Sequence, residues 1–438
     1  MLAHARRPFK ARLRRNRIAA KHRALMSQDE IKRVLIIGAG QAGGETAQRL
    51  RQGGFEGDIT LIGEEPYAPY QRPPLSKKYL AGEFGAERLL LRPASVYAEE
   101  NVALLSPVRA VWIDRASKRV RIEGGRELPY DALVLATGAR PRALPLAGAD
   151  LDGVHVFRTI ADVDAIRPRF VEGAKLVVIG AGYIGLEAAA VARQAGLDVT
   201  VIEAAVRPLA RVTSPEVAGF FLDEHTRQGV RFVLGGQAAM IRGHDQVSGV
   251  RFADGAEIPA DLVIAGIGVD PDTHLAEQCG LEVDNGIITD AQCRTADPAI
   301  FAIGDCARRP MAHYDNELVR LESVHSAVEG AKLVAAAILG KTQAVEAPWF
   351  WSDQYDLKLQ IAGLFQSYDH VALRGAMSDR SFAAFYYKNG RLIAVDAVNR
   401  PGEYLGAKML IQTGRSLAPE VIVDETRPMK ELVAAARA

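Results

Sequence analysis

The sequence predicts an α/β protein that contains one strand–turn–helix unit twice and ends in a smaller α+β region. The first observation is a repeat, because VLIIGAGQAGGE at residues 34–45 is matched in kind by VVIGAGYIGLE at residues 177–187. The second is a change of pattern after residue 341, where apolar stretches flank Lys388-Asn389-Gly390. Apolar stretches around Asn-Gly are typical of a β-hairpin, whereas the repeated glycine turns are typical of parallel α/β units.

The first repeat has the pattern of a buried strand, a tight turn and an amphipathic helix. Its glycines follow the spacing Gly-x-Gly-x-x-Gly, at Gly38, Gly40 and Gly43. Because glycine has no Cβ, this spacing permits a sharp turn, close approach of a pyrophosphate and tight packing of helix on strand. The helix N-terminus then presents free N–H groups and its positive dipole end to phosphate. Tight packing alone also selects glycine, so one such turn is weak support for a nucleotide site.

The second repeat has every part of the first, with Gly180, Gly182 and Gly185 in its turn. In each unit the second predicted strand is followed by an acid, Glu64 in the first unit and Glu203 in the second. A carboxylate in this place binds the hydroxyl pair of a ribose. Two complete units predict two dinucleotides, each on its own Rossmann-type domain.

The residues around Glu203 predict which nucleotide the second unit binds. A carboxylate repels the 2′-phosphate of NADPH, and Ala204 and Ala205 stand where an NADP site would need arginine. NADH is therefore expected. Arg207 lies close enough in sequence to leave NADPH as the alternative.

Further stretches extend the pattern along the chain and carry a resemblance to a known family. They are YQRPPLSKKYLAGE (70–83), LVLATGARPR (133–142), DLVIAGIGVDP (261–271), VDNGIITD (283–290), TADPAIFAIGDCA (295–307) and PWFWSDQYDLKLQIAGL (348–364). With the two glycine turns, they resemble the FAD-dependent pyridine-nucleotide oxidoreductases. Within these, the chain is similar to the ferredoxin reductases of bacterial cytochrome P450 and ring-hydroxylating dioxygenase systems. The match runs from about residue 31 to the C-terminal region, in order and nearly without gaps.

The resemblance implies non-covalent FAD on the first unit and NADH as the substrate of the second. It places contacts with the two cofactors at Gly38, Gly40, Ala42, Gly43, Glu64, Arg72, Lys77, Val108, Thr137, Gly138, Arg140, Gly180, Gly182, Tyr183, Ile184, Gly185, Glu203, Arg211, Gly268, Asp305 and Val324. Asp305 follows a buried strand and is suited to accept a hydrogen bond from a ribitol hydroxyl. Val108 as a plain core residue, and Pro73-Pro74 as an ordinary rigid loop, remain alternatives.

The resemblance also implies which residues serve the chemistry. Hydride passes from nicotinamide C4 to flavin N5, which requires stacked rings rather than a nucleophile or a metal. Tyr183 is placed over the nicotinamide face, and Glu187 beside Lys77 near flavin N5. We expect Lys77 and Glu187 to form an ion pair with side-chain heavy atoms within about 4 Å. A helix over residues 324–339 is expected to point its N-terminus at the flavin, and His325 either tunes the flavin or is a partly exposed capping residue.

Cysteine usage predicts the route by which electrons leave. Disulfide-reducing relatives carry their cysteines shortly after the first acid, and this chain has none between Glu64 and Gly82. Its three cysteines, Cys279, Cys293 and Cys306, contain no CxxC pair and suit a reducing cytoplasm. Electrons must then leave through the flavin itself, which favours an outside one-electron acceptor. The resemblance indicates a [2Fe–2S] ferredoxin for this role.

Other functions remain open at this point. Rubredoxin, monodehydroascorbate or oxygen are alternative acceptors within the same class. A different class is an interaction protein similar to apoptosis-inducing factor, which binds FAD and NADH mainly to control its partners. A third alternative is a structural protein with inactive nucleotide units. We expect a monomer or weak dimer that does not bind nucleic acid. We also expect no membrane binding, since no apolar run reaches the roughly 18 residues of a membrane span.

The implied domain order has one nucleotide domain inserted into the other. Residues 1–28 hold nine Lys or Arg and no Asp or Glu, and we expect a disordered extension, with translation starting at Met26. A transit-like or nucleic-acid-binding tail is the alternative. The expected segments are this extension (1–28), an FAD domain in two parts (29–145 and 262–340), an NAD domain between them (146–261) and a C-terminal α+β domain (341–438).

Overall fold

The computed structural model describes residues 31–437, so the basic extension lies outside the described residues. The first part of the predicted FAD segment contains β1 (Arg33–Ile37), α1 (Gln41–Gln52), β2 (Asp58–Ile62), α2 (Ala94–Glu99), β3 (Val102–Leu105), β4 (Ala110–Asp114), β5 (Arg119–Ile122), β6 (Glu127–Pro129), β7 (Ala132–Leu135) and β8 (Ala139–Pro141). The segment that follows contains β9 (Val154–Val156), α3 (Ile160–Ile166), β10 (Lys175–Ile179), α4 (Tyr183–Gln194), β11 (Asp198–Glu203), α5 (Pro215–Arg227), β12 (Arg231–Leu234), β13 (Ala238–Gly243), β14 (Val247–Phe252) and β15 (Glu257–Pro259).

The remaining elements close both nucleotide units and form the C-terminal region. The chain returns toward the first unit through β16 (Leu262–Ala265), β17 (Val269–Pro271), α6 (His274–Gln278), β18 (Ile287–Ile288), β19 (Ile300–Ala302), β20 (Ala307–Met311), β21 (Glu317–Val319) and α7 (Val324–Ile338). The C-terminal region consists of β22 (Trp349–Gln354), β23 (Leu357–Gly363), β24 (His370–Ala376), β25 (Ser381–Lys388), β26 (Arg391–Val398), α8 (Pro401–Gln412), α9 (Pro419–Ile422) and α10 (Met429–Arg437).

Two parallel sheets of five strands form the centres of the two nucleotide units. The first has the strand order β19-β7-β1-β2-β3, and the second has the order β12-β11-β10-β16-β9. Both central strands are apolar and buried at four consecutive residues, as expected for parallel strands covered on both faces. Because β1 and β10 lie in mid-sheet, the glycine turns that follow them open at the carboxyl edge, where ligands bind in such sheets.

The second sheet extends beyond the predicted domain boundary at residue 261. Strand β16 pairs in parallel with β10, so residues 262–265 belong to the second unit rather than to the returning FAD segment. A short apolar strand has no sequence feature that identifies its pairing partner, and for this reason the predicted boundary was wrong by one strand. The chain crosses back only in β17, which pairs with β8 and joins the two units by a two-stranded ribbon.

The C-terminal region is a five-stranded antiparallel sheet of order β22-β23-β26-β25-β24, with α8 and α10 packed on one face. The predicted hairpin at Asn389-Gly390 is confirmed, because these two residues join β25 to β26 with φ of +52° and +74°. Positive φ at both central residues suits the twist of a two-residue hairpin. In residues 31–437 no helix combines the length and the apolar character needed to cross a membrane.

The glycine turns generate a prediction about stability. A Cβ added to Gly43 would lie 2.0 Å from the Gly38 carbonyl oxygen, and one on Gly185 would lie 2.2 Å from the Gly180 carbonyl oxygen. A backbone carbonyl cannot move aside as a flexible side chain can. We therefore expect Gly43→Ala and Gly185→Ala each to lower the free energy of unfolding by about 1–3 kcal/mol. Thermal unfolding followed by circular dichroism measures the loss.

The matched control for this prediction is Gly219→Ala in the middle of α5. A Cβ there meets no atom within 4 Å, and alanine in a helix is more stable than glycine by roughly 0.5–1 kcal/mol. The control should therefore keep or raise the melting temperature. Equal melting temperatures for Gly43→Ala and Gly219→Ala would contradict the packing role of the turn.

Candidate active site

The first glycine turn forms an open cradle at the carboxyl end of β1. Gly38 has φ of +110°, and a Cβ on it would lie 2.1 Å from the Ala136 carbonyl oxygen. A Cβ on Gly40, in contrast, would meet no atom within 4 Å, so the backbone at this point is accessible to a ligand. Gly40 is the N-cap of α1 and provides no side-chain cap. The first N–H groups of α1 are thus available to a pyrophosphate, and the turn fits the dinucleotide.

The second turn repeats this geometry at the carboxyl end of β10. Gly180 has φ of +106°, and a Cβ on it would lie 2.4 Å from the Gly266 carbonyl oxygen. Gly182 is the N-cap of α4 without a side-chain cap, and a Cβ there would meet no atom within 4 Å. Ile184, in the first turn of α4, is 42% exposed. The second turn therefore also fits the pyrophosphate of a dinucleotide.

Two further predicted residues lie at the second cradle: Gly268 in the loop after β16, and Arg211 in the loop between β11 and α5. Gly268 has φ of +104°, and the position of its absent Cβ is 3.8 Å from a guanidinium nitrogen of Arg211. Gly266 of the same loop contacts Gly180. Arg211 is exposed, so its guanidinium faces solvent at the edge of the cradle.

Glu203 is held by backbone N–H groups at the end of β11. Its Oε2 accepts the Ala181 N–H at 2.7 Å, and its Oε1 accepts the Ala205 N–H at 2.8 Å. Each oxygen keeps a lone pair for a ribose hydroxyl. The guanidinium of Arg207 donates instead to the carbonyl oxygen of Ala210 at 3.1 Å. Arg207 is thus engaged with the backbone of the loop between β11 and α5.

The carboxyl edge of the first sheet gathers four of the predicted residues. Glu64 lies 3.6 Å from the guanidinium of Arg140, which also pairs with Asp272 at 2.8 Å. The Thr137 hydroxyl donates to the Asp272 backbone carbonyl at 2.6 Å, and the next residue, Gly138, has φ of +73°. Both Glu64 and Arg140 are about half exposed, so they face the open edge where the first nucleotide would lie.

Arg158, a residue that the sequence analysis did not single out, connects two predicted residues. Its guanidinium pairs with Asp305 at 2.9 Å, and its backbone carbonyl accepts from Arg72 at 2.6 Å. Arg72 also pairs with Glu65 at 2.7 Å. Asp305 follows Gly304, where an added Cβ would lie 3.3 Å from the Cβ of Ala42 on α1. No motif marks Arg158, because its role depends on a contact across 147 positions of the chain.

Lys77 and Glu187 form the predicted ion pair. The Lys77 ammonium is 2.7 Å from Glu187 Oε2, and the two side chains are 17% and 4% exposed. Ser76 donates to Oε2 at 2.5 Å, and Ser352 donates to Oε1 at 2.6 Å. These donors offset the cost of burying the carboxylate. Both serines lie in stretches that carried the resemblance, but a lone hydroxyl has no spacing by which its role is predicted.

Tyr183 lies at the start of α4 and is enclosed by the C-terminal region. Its ring packs against Phe350 with centroids 5.0 Å apart, and its hydroxyl donates to the Val212 carbonyl at 3.3 Å. Burial raises the pKa of Tyr183, so the phenol stays protonated. Thr213, which follows Val212 in sequence, donates to the buried carboxylate of Asp396. Burial raises the pKa of Asp396 to about 6. The loop over Tyr183 is thereby attached to the C-terminal sheet.

The N-terminus of α7 differs in part from expectation. The helix starts at Val324, as predicted, but its N-cap is Ser323, which accepts the Ser326 N–H at 3.0 Å. His325 is only 3% exposed, so a partly exposed capping role for it is wrong. Its ring packs on the C-terminal region, a tertiary contact that sequence spacing does not reveal. Val108 is half-buried against the core of the first unit, which fits either of its two alternatives.

The three cysteines are packed in the cores of the first unit, away from the residues around Glu187. Cys293 and Cys306 are buried, and Cys279 is partly buried. Burial raises the pKa of all three thiols, to about 12 for Cys293. They therefore remain protonated and unreactive at neutral pH.

Comparisons with known proteins agree with this geometry. The family model described as pyridine nucleotide-disulphide oxidoreductase matches residues 32–331, and the model described as reductase C-terminal matches residues 349–433. Putidaredoxin reductase of Pseudomonas putida is 44% identical over 412 residues, which is 92% of this chain and 97% of that protein.

Two solved structures cover nearly the whole chain. The covalent putidaredoxin reductase–putidaredoxin complex has a TM-score of 0.91 at 43% identity and covers 93% of this chain and 99% of that one. The ferredoxin reductase for the CYP199A2 system from Rhodopseudomonas palustris has a TM-score of 0.89 at 42% identity, and the match covers 92% of this chain and 100% of that one. The two cradles, the extent of the match and the level of identity lead to one conclusion. The chain belongs to the pyridine nucleotide-disulphide oxidoreductase family, as an FAD-dependent oxidoreductase that uses NADH.

Proposed function

We propose that this enzyme passes electrons from NADH, one at a time, to a [2Fe–2S] ferredoxin that supplies a cytochrome P450 or a ring-hydroxylating oxygenase. One observation carries the proposal: the Lys77–Glu187 pair has serine hydroxyls as its neighbours, while every cysteine is packed in another core. A disulfide relay needs a reactive thiol beside the flavin. Electrons must therefore go to an external acceptor.

The residues of the chain supply position and charge rather than a reactive group. When bound, FAD takes up a hydride and gives up single electrons, and this chemistry belongs to the cofactor. Glu187 is immobilised by three donors, so its carboxylate is a fixed acceptor for the carboxamide of nicotinamide. The Lys77 ammonium places positive charge where negative charge develops during reduction. Tyr183 lies at the N-terminus of α4, packed against Phe350, and would cover the nicotinamide face.

We also propose that the enzyme meets its acceptor in the cytoplasm. One relative named above was solved in a covalent complex with putidaredoxin, and another is the ferredoxin reductase for the CYP199A2 system. The cysteine usage of this chain suits the cytoplasm. Rubredoxin remains the nearest alternative acceptor. The choice between small iron proteins depends on how well the surface of each one fits this enzyme.

The proposed function is tested first with the purified protein. We expect a yellow protein that releases FAD on denaturation and is reduced anaerobically by NADH. Steady-state assays with a [2Fe–2S] ferredoxin, a rubredoxin, monodehydroascorbate and oxygen should give the highest kcat/KM with the ferredoxin. A colourless protein that takes up no FAD would remove the proposal, and a preference for rubredoxin would replace the acceptor.

Nucleotide choice is expected to depend on Glu203. Removing its charge eliminates repulsion of a 2′-phosphate, on the order of 1–3 kcal/mol for a partly exposed pair. Glu203→Ala should therefore shift the NADH/NADPH ratio of kcat/KM roughly 5- to 150-fold toward NADPH, and adding Ala204→Arg should shift it further. Glu172→Ala, an exposed acid in the same unit, is the control. An unchanged ratio would mean that Glu203 does not contact the ribose.

We expect Lys77 and Glu187 to act together in the reduction of the flavin by NADH. Lys77→Ala and Glu187→Ala each leave one charge in a poorly hydrated place, so each should slow flavin reduction by NADH on the order of 10- to 100-fold. The double variant should lose less than the product of the two, with a coupling of roughly 0.5–3 kcal/mol. Anaerobic stopped-flow absorbance measures the rates, and Lys78→Ala, the exposed neighbour, is the control. Fully additive effects would show that the two residues act independently.

A further inference from the structure

The carboxylate of Glu187 is the end of a longer chain of hydrogen bonds. Ser352 Oγ contacts Glu187 Oε1 at 2.6 Å, and Gln354 Nε2 contacts Ser352 Oγ at 3.2 Å. Gln354 Oε1 lies 2.7 Å from His225 Nε2, and His225 Nδ1 lies 3.1 Å from the Tyr355 hydroxyl. We call these five side chains the Glu187 chain.

The Glu187 carboxylate sets the direction of every hydrogen bond in the Glu187 chain. An ionised carboxylate only accepts, so Ser352 must donate its single proton to Glu187. Ser352 then accepts from the amide N–H of Gln354, whose oxygen remains to accept from His225 Nε2–H. His225 Nδ1 is left bare and accepts from Tyr355. All four bonds thus point toward the carboxylate.

Burial fixes this arrangement. Ser352 and Gln354 are each 1% exposed, and His225 is fully buried. Burial lowers the pKa of His225 to about 4, so the ring is neutral at neutral pH and holds one proton on a defined nitrogen. Water has no access to replace a missing donor, so each side chain depends on the one before it.

The Glu187 chain also crosses the main segments of the molecule. Glu187 and His225 lie on α4 and α5 of the second nucleotide unit, whereas Ser352 and Gln354 lie on β22 of the C-terminal region. Lys77, on the other side of the carboxylate, comes from the first unit. The orientation of Glu187 is therefore defined only when the three segments are in contact.

We infer that His225 is a positioning residue for hydride transfer, which acts through Gln354 and Ser352 to hold the Glu187 carboxylate in one orientation. The inference rests on the proposed role of Glu187 in hydride transfer. The Glu187 chain is not a proton path, because the Gln354 amide cannot pass on a proton without becoming an unstable imidic acid. Its effect is on the geometry and the charge of Glu187.

The test is a set of variants of the full-length holoenzyme. His225→Leu removes the donor to Gln354, and we expect the limiting rate of flavin reduction at saturating NADH to fall roughly 5- to 50-fold. His225→Gln keeps an N–H donor at the same reach and should stay within about threefold of wild type. His244→Leu, in which the replaced side chain is 96% exposed, is the matched control. The visible spectrum and melting temperature of each variant are recorded to verify FAD content and folding.

Combination with Ser352→Ala shows whether His225 acts through the Glu187 chain. When Ser352 no longer donates to Glu187, His225→Leu should cause no further loss of rate. An equal loss in both backgrounds would overturn the inference, as would a normal rate in His225→Leu. A wild-type flavin that NADH does not reduce would overturn the proposed function and the inference with it, and the wild-type trace alone reveals that case.

A second measurement examines the ring itself. In ¹⁵N-histidine-labelled protein, the signals lost in His225→Gln identify the ring nitrogens of His225. We expect a neutral ring at neutral pH with the proton on Nε2 and a bare Nδ1. A proton on Nδ1, or a charged ring, would contradict the direction of the Glu187 chain and overturn the inference.

Discussion

The buried ion pair of Lys77 and Glu187 is the constraint on which the rest of the structure depends. Removing two charges from water costs several kcal/mol per ion, and Coulomb attraction alone does not restore it. The site offsets this cost with hydroxyls from both sides, Ser76 from the first nucleotide unit and Ser352 from the C-terminal region. The pair is therefore stable only where all three segments meet, and under the proposed function the two cofactors would face each other at this point.

The two nucleotide units share one turn but differ in the surroundings of the terminal acid. Glu203 is fixed by two backbone N–H groups, whereas Glu64 lies half-exposed near the Arg140 guanidinium. A fixed carboxylate excludes a 2′-phosphate, which suits a unit that must discriminate between nicotinamide cofactors. An acid balanced by nearby arginine suits a unit that retains one cofactor and never has to select it. Under the proposed function, the same local sequence thus serves two tasks through its neighbours.

The C-terminal region has a more direct part in the site than its position at the end of the chain suggests. Its first strand supplies Phe350 against Tyr183 and Ser352 against Glu187. Its last strand supplies Asp396, which with Tyr386 and Thr213 forms a buried group of hydrogen bonds. Both contacts hold the second nucleotide unit against the region, so the active site is completed by residues that no nucleotide motif contains.

The sequence by itself determined the repeated units, their glycine turns and terminal acids, the hairpin at Asn389-Gly390 and the pairing of Lys77 with Glu187. The repeated units, the glycine turns, the terminal acids and the hairpin follow from local rules of backbone conformation and strand order. The ion pair follows from a resemblance that runs along nearly the whole chain. Only the tertiary structure decided that β16 belongs to the second sheet, that His325 is buried, and that Arg158, Ser352 and His225 connect to the site. The physical reason is that these roles depend on partners distant in sequence, and a single arginine, serine or histidine has no periodicity or spacing that records its partner.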